Sequence, residues 1–154
     1  MTILGLDLAT RTGWALCEDG KITESGAVNF KVQRGESPGM RYLFLRRWLD
    51  RNPLALNLTI YEDAHYRGGA ATEVCVGMVT TVQEWCAARG VEHMKCHTQR
   101  LKKWFTGSGR ASKADMMAEA SRRTGRKVTD NDEADAIALA LFAWDQVGVV
   151  EGGE

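Results

Sequence analysis

Short apolar runs separated by turn residues fill the first thirty positions of the chain, a pattern typical of β-strands. The first run ends near Asp7, and Thr12-Gly13 predicts a tight turn behind it. Asp19-Gly20 is a strong hairpin signal between the second and third runs. A meander of three antiparallel strands is therefore predicted, at Thr2–Leu8, Trp14–Cys17 and Ile22–Phe30.

Apolar residues recur at helical spacing through most of the remaining chain, interrupted by two short runs that predict further strands. Ser37-Pro38 predicts a helix start, with Ser37 as the N-cap. Gly90 predicts the end of a long helix that is apolar nearly all round, so one of its faces could be a subunit interface. The predicted order is a polar loop at Lys31–Ser37, a helix from Ser37 to about Arg51 that buries Met40, Leu43, Phe44 and Trp48, a strand at Leu56–Glu62, a helix at Ala70–Arg89, a strand at Val91–Cys96, helices at Thr98–Phe105 and Ser112–Arg123, and a helix from Asp130 to about Gln146.

This order of elements predicts an α/β fold. Hairpin-linked strands followed by alternating helices and strands favour a five-stranded mixed sheet with helices on both faces. The 154 residues suit one domain, predicted over residues 1–147, with a tail at 148–154. The chain shows no signal-peptide pattern at its start, and its longest apolar run, Ala136–Trp144, is too short to span a bilayer. An intracellular, cytoplasmic protein is therefore expected.

The chain has four cysteines, and none forms a C-x-x-C pair or stands with a histidine at zinc-ligand spacing. They are expected to be buried, reduced thiols. Any metal would then be a hard cation held by oxygen ligands. The four are Cys17, Cys75, Cys86 and Cys96.

The chain carries no net charge, but its charges are unevenly distributed. Between Lys95 and Lys127 ten basic residues face two acidic ones, a net charge of +8, so the rest of the chain carries −8. Such asymmetry suits a basic face for phosphate beside an acidic pocket for metal, and two ordinary solvated helix faces are the alternative. The basic residues considered for contact with nucleic acid are Lys102, Lys103, Arg110 and Lys113.

Two acids stand at strand ends: Asp7 at the end of the first strand and Glu62 at the end of the fourth. If these strands are parallel neighbours, both carboxylates emerge at the same sheet edge, where open sheets bind ligands. The alternative for each is a solvent-facing acid without further role. A second pair, Asp132 and Asp135, is three residues apart on one helix and so shares a face. Acids that complement the helix dipole would explain Asp132 well and Asp135 less well.

Four converging carboxylates repel one another unless divalent cations offset their charge. Mg²⁺ prefers oxygen ligands and keeps several waters. Two such ions roughly 3.5–4 Å apart can activate water and stabilise the leaving oxygen of a phosphodiester. The acidic residues and the basic stretch between Lys95 and Lys127, called the basic window, together therefore indicate a metal-dependent nuclease.

Several short motifs in a fixed order resemble those of RuvC-type Holliday junction resolvases, most closely compact versions such as those carried by phages. The resemblance covers residues 3 to about 144. The motifs are Gly5-Leu6-Asp7-Leu8 with Thr12-Gly13, Tyr61-Glu62, Thr106-Gly107-Ser108-Gly109-Arg110-Ala111-Ser112-Lys113, and Asp132-Glu133-Ala134-Asp135-Ala136.

This resemblance implies an RNase H-like fold and a homodimer that cuts four-way DNA junctions with paired symmetric nicks, as in DNA recombination and repair. It matches Asp7, Glu62, Asp132 and Asp135 to four metal-binding carboxylates that hold two Mg²⁺ ions, with Mn²⁺ as a possible substitute. Lys113 matches a basic residue near the scissile phosphate. The helix at Ala70–Arg89 falls where such proteins dimerise. Such proteins carry an aromatic residue shortly after the second acid that wedges into the junction. In this chain His65 and Tyr66 fall in that stretch, and Arg67, which follows them, is a further candidate DNA contact.

Three functions are alternatives to a junction-cutting nuclease. The Gly5-Leu6-Asp7 motif also resembles the phosphate loop of sugar kinases and actin-like ATPases, but those need two lobes, for which 154 residues leave no room. A nuclease of this fold could instead cut other branched DNA, RNA–DNA hybrid or structured RNA. A non-catalytic branched-DNA-binding module is a third alternative, although it would not need all four acids.

Overall fold

The structure, a computed structural model, describes residues 1–51, 55–63 and 68–151, and the side chains of 149–151 are not described. It contains one five-stranded sheet with helices on both faces, as the sequence predicts. The elements are β1 (Thr2–Asp7), β2 (Arg11–Glu18), β3 (Lys21–Asn29), α1 (Met40–Asp50), β4 (Leu58–Glu62), α2 (Ala70–Arg89), β5 (Glu92–Cys96), α3 (Thr98–Thr106), α4 (Lys113–Thr124) and α5 (Asn131–Glu151).

The sheet has the order β3-β2-β1-β4-β5, with β1 at its centre. The first three strands form the predicted antiparallel meander, and β4 and β5 run parallel to β1. Asp19 and Gly20 turn the chain between β2 and β3 with positive φ angles of 49° and 86°, which explains why Asp and Gly stand there. The predicted mixed sheet is therefore confirmed.

The predicted turn at Thr12-Gly13 is wrong, because both residues lie inside β2. The chain turns earlier, at residues 8–10, and the Thr12 hydroxyl closes this turn by donating to the Ala9 carbonyl at 2.6 Å. Gly13 is needed for packing instead: a Cβ there would lie 1.9 Å from the Asp132 carbonyl oxygen of α5. Gly5 on β1 is similar, at 2.4 Å from the Ala136 carbonyl oxygen. Two glycines thus let α5 lie directly on the sheet.

Gly13→Ala is expected to destabilise the protein by about 2–3 kcal/mol, because the added methyl group must push α5 away from β2. Urea unfolding followed by tryptophan fluorescence measures this effect. Gly35→Ala is the control, because the added methyl group would lie in open space. The positive φ of 89° at Gly35 lowers the stability of that variant only modestly. A Gly13→Ala protein as stable as the wild type would contradict the close contact.

Two hydrophobic cores flank the sheet. The larger one lies under α3, α4 and α5 and the smaller one under α1 and α2. The burial predicted for α1 is partly wrong: Leu45 and Leu49 are fully buried, whereas Leu43 is exposed. The helix also begins at Met40 rather than at Pro38, because residues 38–39 form a turn in which Gly39 N–H donates to the Ser37 hydroxyl.

Most predicted helix ends agree with the structure. Gly90 ends α2 in the left-handed conformation, and Ser112 with Asp115 forms a capping box at the start of α4. At α5, Asp130 accepts from the Glu133 backbone N–H at 3.0 Å, and the Glu133 carboxylate accepts from Ser25 and Arg126. The helix extends beyond Gln146 to Glu151, since no proline or paired glycines interrupt it before residue 152.

Two further features complete the description. The cysteines are free thiols, buried at positions 17, 86 and 96 and half-buried at position 75. No helix within the described ranges is both long enough and apolar enough to cross a membrane.

Candidate metal centre

The candidate site lies at the edge of the sheet where β1 and β4 end. These strands are parallel neighbours, and Leu6 is paired with Tyr61, so the next residues, Asp7 and Glu62, emerge side by side. This is the arrangement that was expected from strand ends at one edge of a parallel pair. Asp7 also lies opposite Gly13, where α5 crosses the sheet.

The third acid comes from α5. Ligand oxygens of Asp7, Glu62 and Asp135 lie within 4.8 Å of one another, and all three residues are half-buried. Asp132, one turn earlier on α5, lies outside this tight group but is near enough for its charge to raise the pKa of Asp7. The structure therefore brings all four sequence-predicted acids into one neighbourhood, with three of them in a tight cluster.

Burial and repulsion by neighbouring acids make the carboxyl groups of Asp7 and Asp135 hard to ionise. The pKa of Asp7 is raised to about 8, first by loss of solvent and then by the charges of Glu62, Asp135 and Asp132. The pKa of Asp135 is raised to about 7 by burial and by Glu62, against the opposing effect of Lys102 and Lys113. A divalent cation among these oxygens would reverse the effect, since it favours the ionised form.

The donor set fits a hard divalent cation. One oxygen of Asp135, Oδ1, is buried and has no hydrogen-bond partner among the described residues, which is costly unless something else satisfies it. The three clustered residues supply carboxylate oxygens, the ligands that Mg²⁺ and Mn²⁺ accept. The three residues are half-buried, so the cluster is partly open to solvent, from which Mg²⁺ keeps several waters.

Two contacts to the acids were not predicted from the sequence. Thr98, the first residue of α3, donates its hydroxyl hydrogen to Glu62 Oε2 at 2.9 Å. The Arg11 guanidinium binds Asp132 at 2.6 Å and also Asp130. Thr98 could have been found from the sheet register, because β5 ends at Cys96 beside Glu62. No sequence spacing connects Arg11 to acids some 120 positions away.

The four basic residues considered for DNA contact lie on the side of the sheet that α5 covers. They are Lys102 and Lys103 on α3, Arg110 between α3 and α4, and Lys113 at the start of α4. Lys102 and Lys113 are near enough to oppose the pKa rise of Asp135. Other cations of the basic window are engaged elsewhere: Arg122 and Arg123 bind Glu119, and Arg126 binds Glu133. Among the ion pairs of the described residues, none involves Lys102, Lys103, Arg110 or Lys113.

Two further predictions concern possible contacts with partners. His65, Tyr66 and Arg67 lie outside the described residues. Along α2, most of the apolar side chains pack on the sheet or on α1, and Val76, at 38% exposed, is the large apolar residue that faces solvent. The outer face of α2 is thus less apolar than the sequence indicates.

Two solved structures have the same arrangement of strands and helices. A structure of RuvC from Thermus thermophilus gives a TM-score of 0.73 at 19% identity, covering 96% of this chain and 97% of that chain. T. thermophilus RuvC in complex with Holliday junction substrate gives 0.73 at 19% identity, covering 92% and 91%. The sequence matches no protein-family model and no curated protein. The chain has the RNase H-like fold of RuvC, as was predicted.

Proposed function

We propose that this chain is a metal-dependent endonuclease that resolves four-way DNA junctions. The observation that carries the proposal is the cluster of Asp7, Glu62 and Asp135, whose ligand oxygens lie within 4.8 Å of one another at one edge of a RuvC-like fold. RuvC of this fold has been seen bound to Holliday junction substrate. These three acids, with Asp132 one turn earlier on α5, would serve as ligands for two Mg²⁺ ions.

The residues of the site would have three roles: holding cations, orienting a metal ligand and holding the scissile phosphate. Asp7, Glu62 and Asp135 would hold one cation, and Asp132 would join Asp7 in holding the second. Bound cations would activate the attacking water and stabilise the leaving oxygen of the phosphodiester. Thr98 orients Glu62 through its hydroxyl hydrogen bond. Lys113, whose charge acts on Asp135, would hold the scissile phosphate beside the acids.

The basic residues of α3 and the α3–α4 region would hold the DNA backbone. Lys102, Lys103, Arg110 and Lys113 have no acidic partner among the described ion pairs, so their charge is available to phosphate. Binding through such contacts weakens as salt rises, because neutralising each phosphate releases counterions. His65, Tyr66 and Arg67 would contact the junction itself, as the resemblance implies.

A homodimer formed through α2 would give the paired nicks, since a two-fold symmetric enzyme suits a two-fold symmetric junction. This surface is the one that the resemblance implies, and it would cover Val76 on the outer face of α2. The other substrates remain alternatives: branched DNA of other kinds, RNA–DNA hybrid and structured RNA would use the same acids. The tight acidic cluster disfavours a non-catalytic binding module, because repelling carboxylates cost stability without a role in chemistry.

Incubation of the protein with a labelled four-way junction, with Mg²⁺ or with EDTA, tests the proposal. Paired nicks at symmetric positions that require Mg²⁺ are expected. Flap, Y-form, RNA–DNA hybrid and linear duplex substrates run in parallel decide between the alternatives. Junction binding without cleavage under either condition would favour the binding module, and preferential cleavage of the hybrid would replace the junction as substrate.

Lys113→Ala is expected to lower the single-turnover cleavage rate by about 10²-fold, because it removes a charge beside the reacting phosphate. Junction affinity should fall by no more than about threefold, since one of several phosphate contacts is lost. Rapid-quench kinetics and a gel-shift titration measure the two quantities. Lys21→Ala, at the opposite end of the sheet, is the matched control. Equal losses in rate and affinity would place Lys113 among the general phosphate contacts.

A further inference from the structure

Arg11 lies between two carboxylates beside the acidic site. Its guanidinium binds Asp130 through both terminal nitrogens, with Nη1 at 3.1 Å from Oδ1 and Nη2 on Oδ2. The same Nη1 donates to Asp132 Oδ2 at 2.6 Å. The Arg11 side chain is 50% exposed, so its guanidinium can move into solvent without leaving a deeply buried charge behind.

Asp132 differs in this respect from the other acids of the site. Among the ion pairs of the described residues, it is the one of the four acids with a basic partner. One of its oxygens is thus occupied by Arg11 before any cation arrives. Within the part of the chain that the structure describes, Asp7, Glu62 and Asp135 form no ion pair, and Asp135 Oδ1 has no hydrogen-bond partner.

We propose that Arg11 makes the binding of two divalent cations sequential, a role that rests on the metal centre of the proposed function. The first cation enters among Asp7, Glu62 and Asp135. The second needs the Asp132 oxygen that Arg11 holds, Oδ2, and it binds only when it displaces the guanidinium from that oxygen. Arg11 is therefore a positioning residue that regulates the second metal site.

Asp130 sets how firmly Arg11 blocks this site. Its bidentate contact gives the guanidinium somewhere to remain after Asp132 is released, so displacement requires the loss of one hydrogen bond rather than of every contact. Without the negative charge of Asp130, the guanidinium would depend on Asp132 alone and hold it more tightly. Removal of Arg11 and removal of the Asp130 charge should consequently shift the second cation in opposite directions.

Titration calorimetry of the full chain with Mn²⁺ alone, and then with Mg²⁺ alone, tests this without DNA. Arg11→Gln is expected to tighten the second binding event by about tenfold and to leave the first within about twofold. Asp130→Asn is expected to weaken the second event by a similar factor. Asparagine can keep the helix cap that Asp130 provides to Glu133, so α5 retains its start.

Arg126→Gln is the matched control, because it removes an arginine that binds the neighbouring acid Glu133 rather than Asp132. Both binding events should keep their midpoints in this variant. Equal shifts of both events in Arg11→Gln would show a general charge effect and overturn the proposed role, as would shifts in the same direction for Arg11→Gln and Asp130→Asn. If the midpoint of the second binding event were unchanged in every variant, the role of Arg11 alone would be overturned. A wild-type protein that binds no cation would overturn the metal centre as well.

Discussion

Asp7→Asn is expected to lower junction cleavage by at least about 10³-fold while junction binding persists or tightens. Asp7 stands at the centre of the site: it ends the central strand, and its pKa is raised by all three other acids. An asparagine there keeps the shape of the side chain and one oxygen, but it removes the charge that a cation needs. Loss of a negative charge near the bound phosphate also reduces repulsion of the DNA.

Cleavage rates at saturating protein, measured beside gel-shift titrations in Ca²⁺ or EDTA, separate the two effects. Asp63→Asn is a matched control, since Asp63 directly follows Glu62 but points to Lys95 on the exposed side of β5. This control should cleave at about the wild-type rate. An Asp7→Asn protein that still nicks the junction near that rate would refute the carboxylate site.

The second expected result concerns stability without metal. The free energy of unfolding in EDTA should fall by about 2–5 kcal/mol as the pH rises from 4 to 8. The pKa of Asp7 is about 8 and that of Asp135 about 7 in the folded protein, against ordinary values of 3.8. Between these limits the folded state holds protons that the unfolded state has released, so each rise in pH favours unfolding.

Urea unfolding at half-unit pH intervals, in EDTA and in Mg²⁺, measures this slope. Glu119 and Asp130 have lowered pKa values, so their opposite contribution is complete by about pH 5 and affects only the acid end of the window. Mg²⁺ should flatten the slope by stabilising the ionised acids, and Asp7→Asn should flatten it without metal. Stability in EDTA that is constant or rises across this range would contradict the strained acidic cluster.

The sequence predicted those parts of the fold that depend on local patterns. The alternating apolar runs gave the meander and the two parallel strands, and their ends located Asp7 and Glu62 at one edge. The three-residue spacing of Asp132 and Asp135 put them on one helix face. These signals sufficed because strand ends and helix spacing determine where a side chain emerges.

The errors arose where one residue type serves two purposes. A glycine after threonine predicts a turn, but Gly13 is small because a helix backbone rests on it, and only the folded chain reveals that contact. The inward face of α1 was misplaced because Leu43 and Leu45 are equally apolar and the packing against the sheet chooses between them. Arg11 could not be found, since its partners are brought to it by the crossing of α5.

Because α5 packs directly on Gly5 and Gly13, the acidic site cannot be complete until α5 has been synthesised. Asp7 is synthesised 128 positions before Asp135, so a ribosome-bound chain carries an incomplete set of acids until α5 has been made. Until α5 emerges and docks, the acids at the strand ends have no helix beside them to complete the set. In the proposed function, a nascent chain could therefore not cut DNA before α5 has been synthesised and has docked on the sheet.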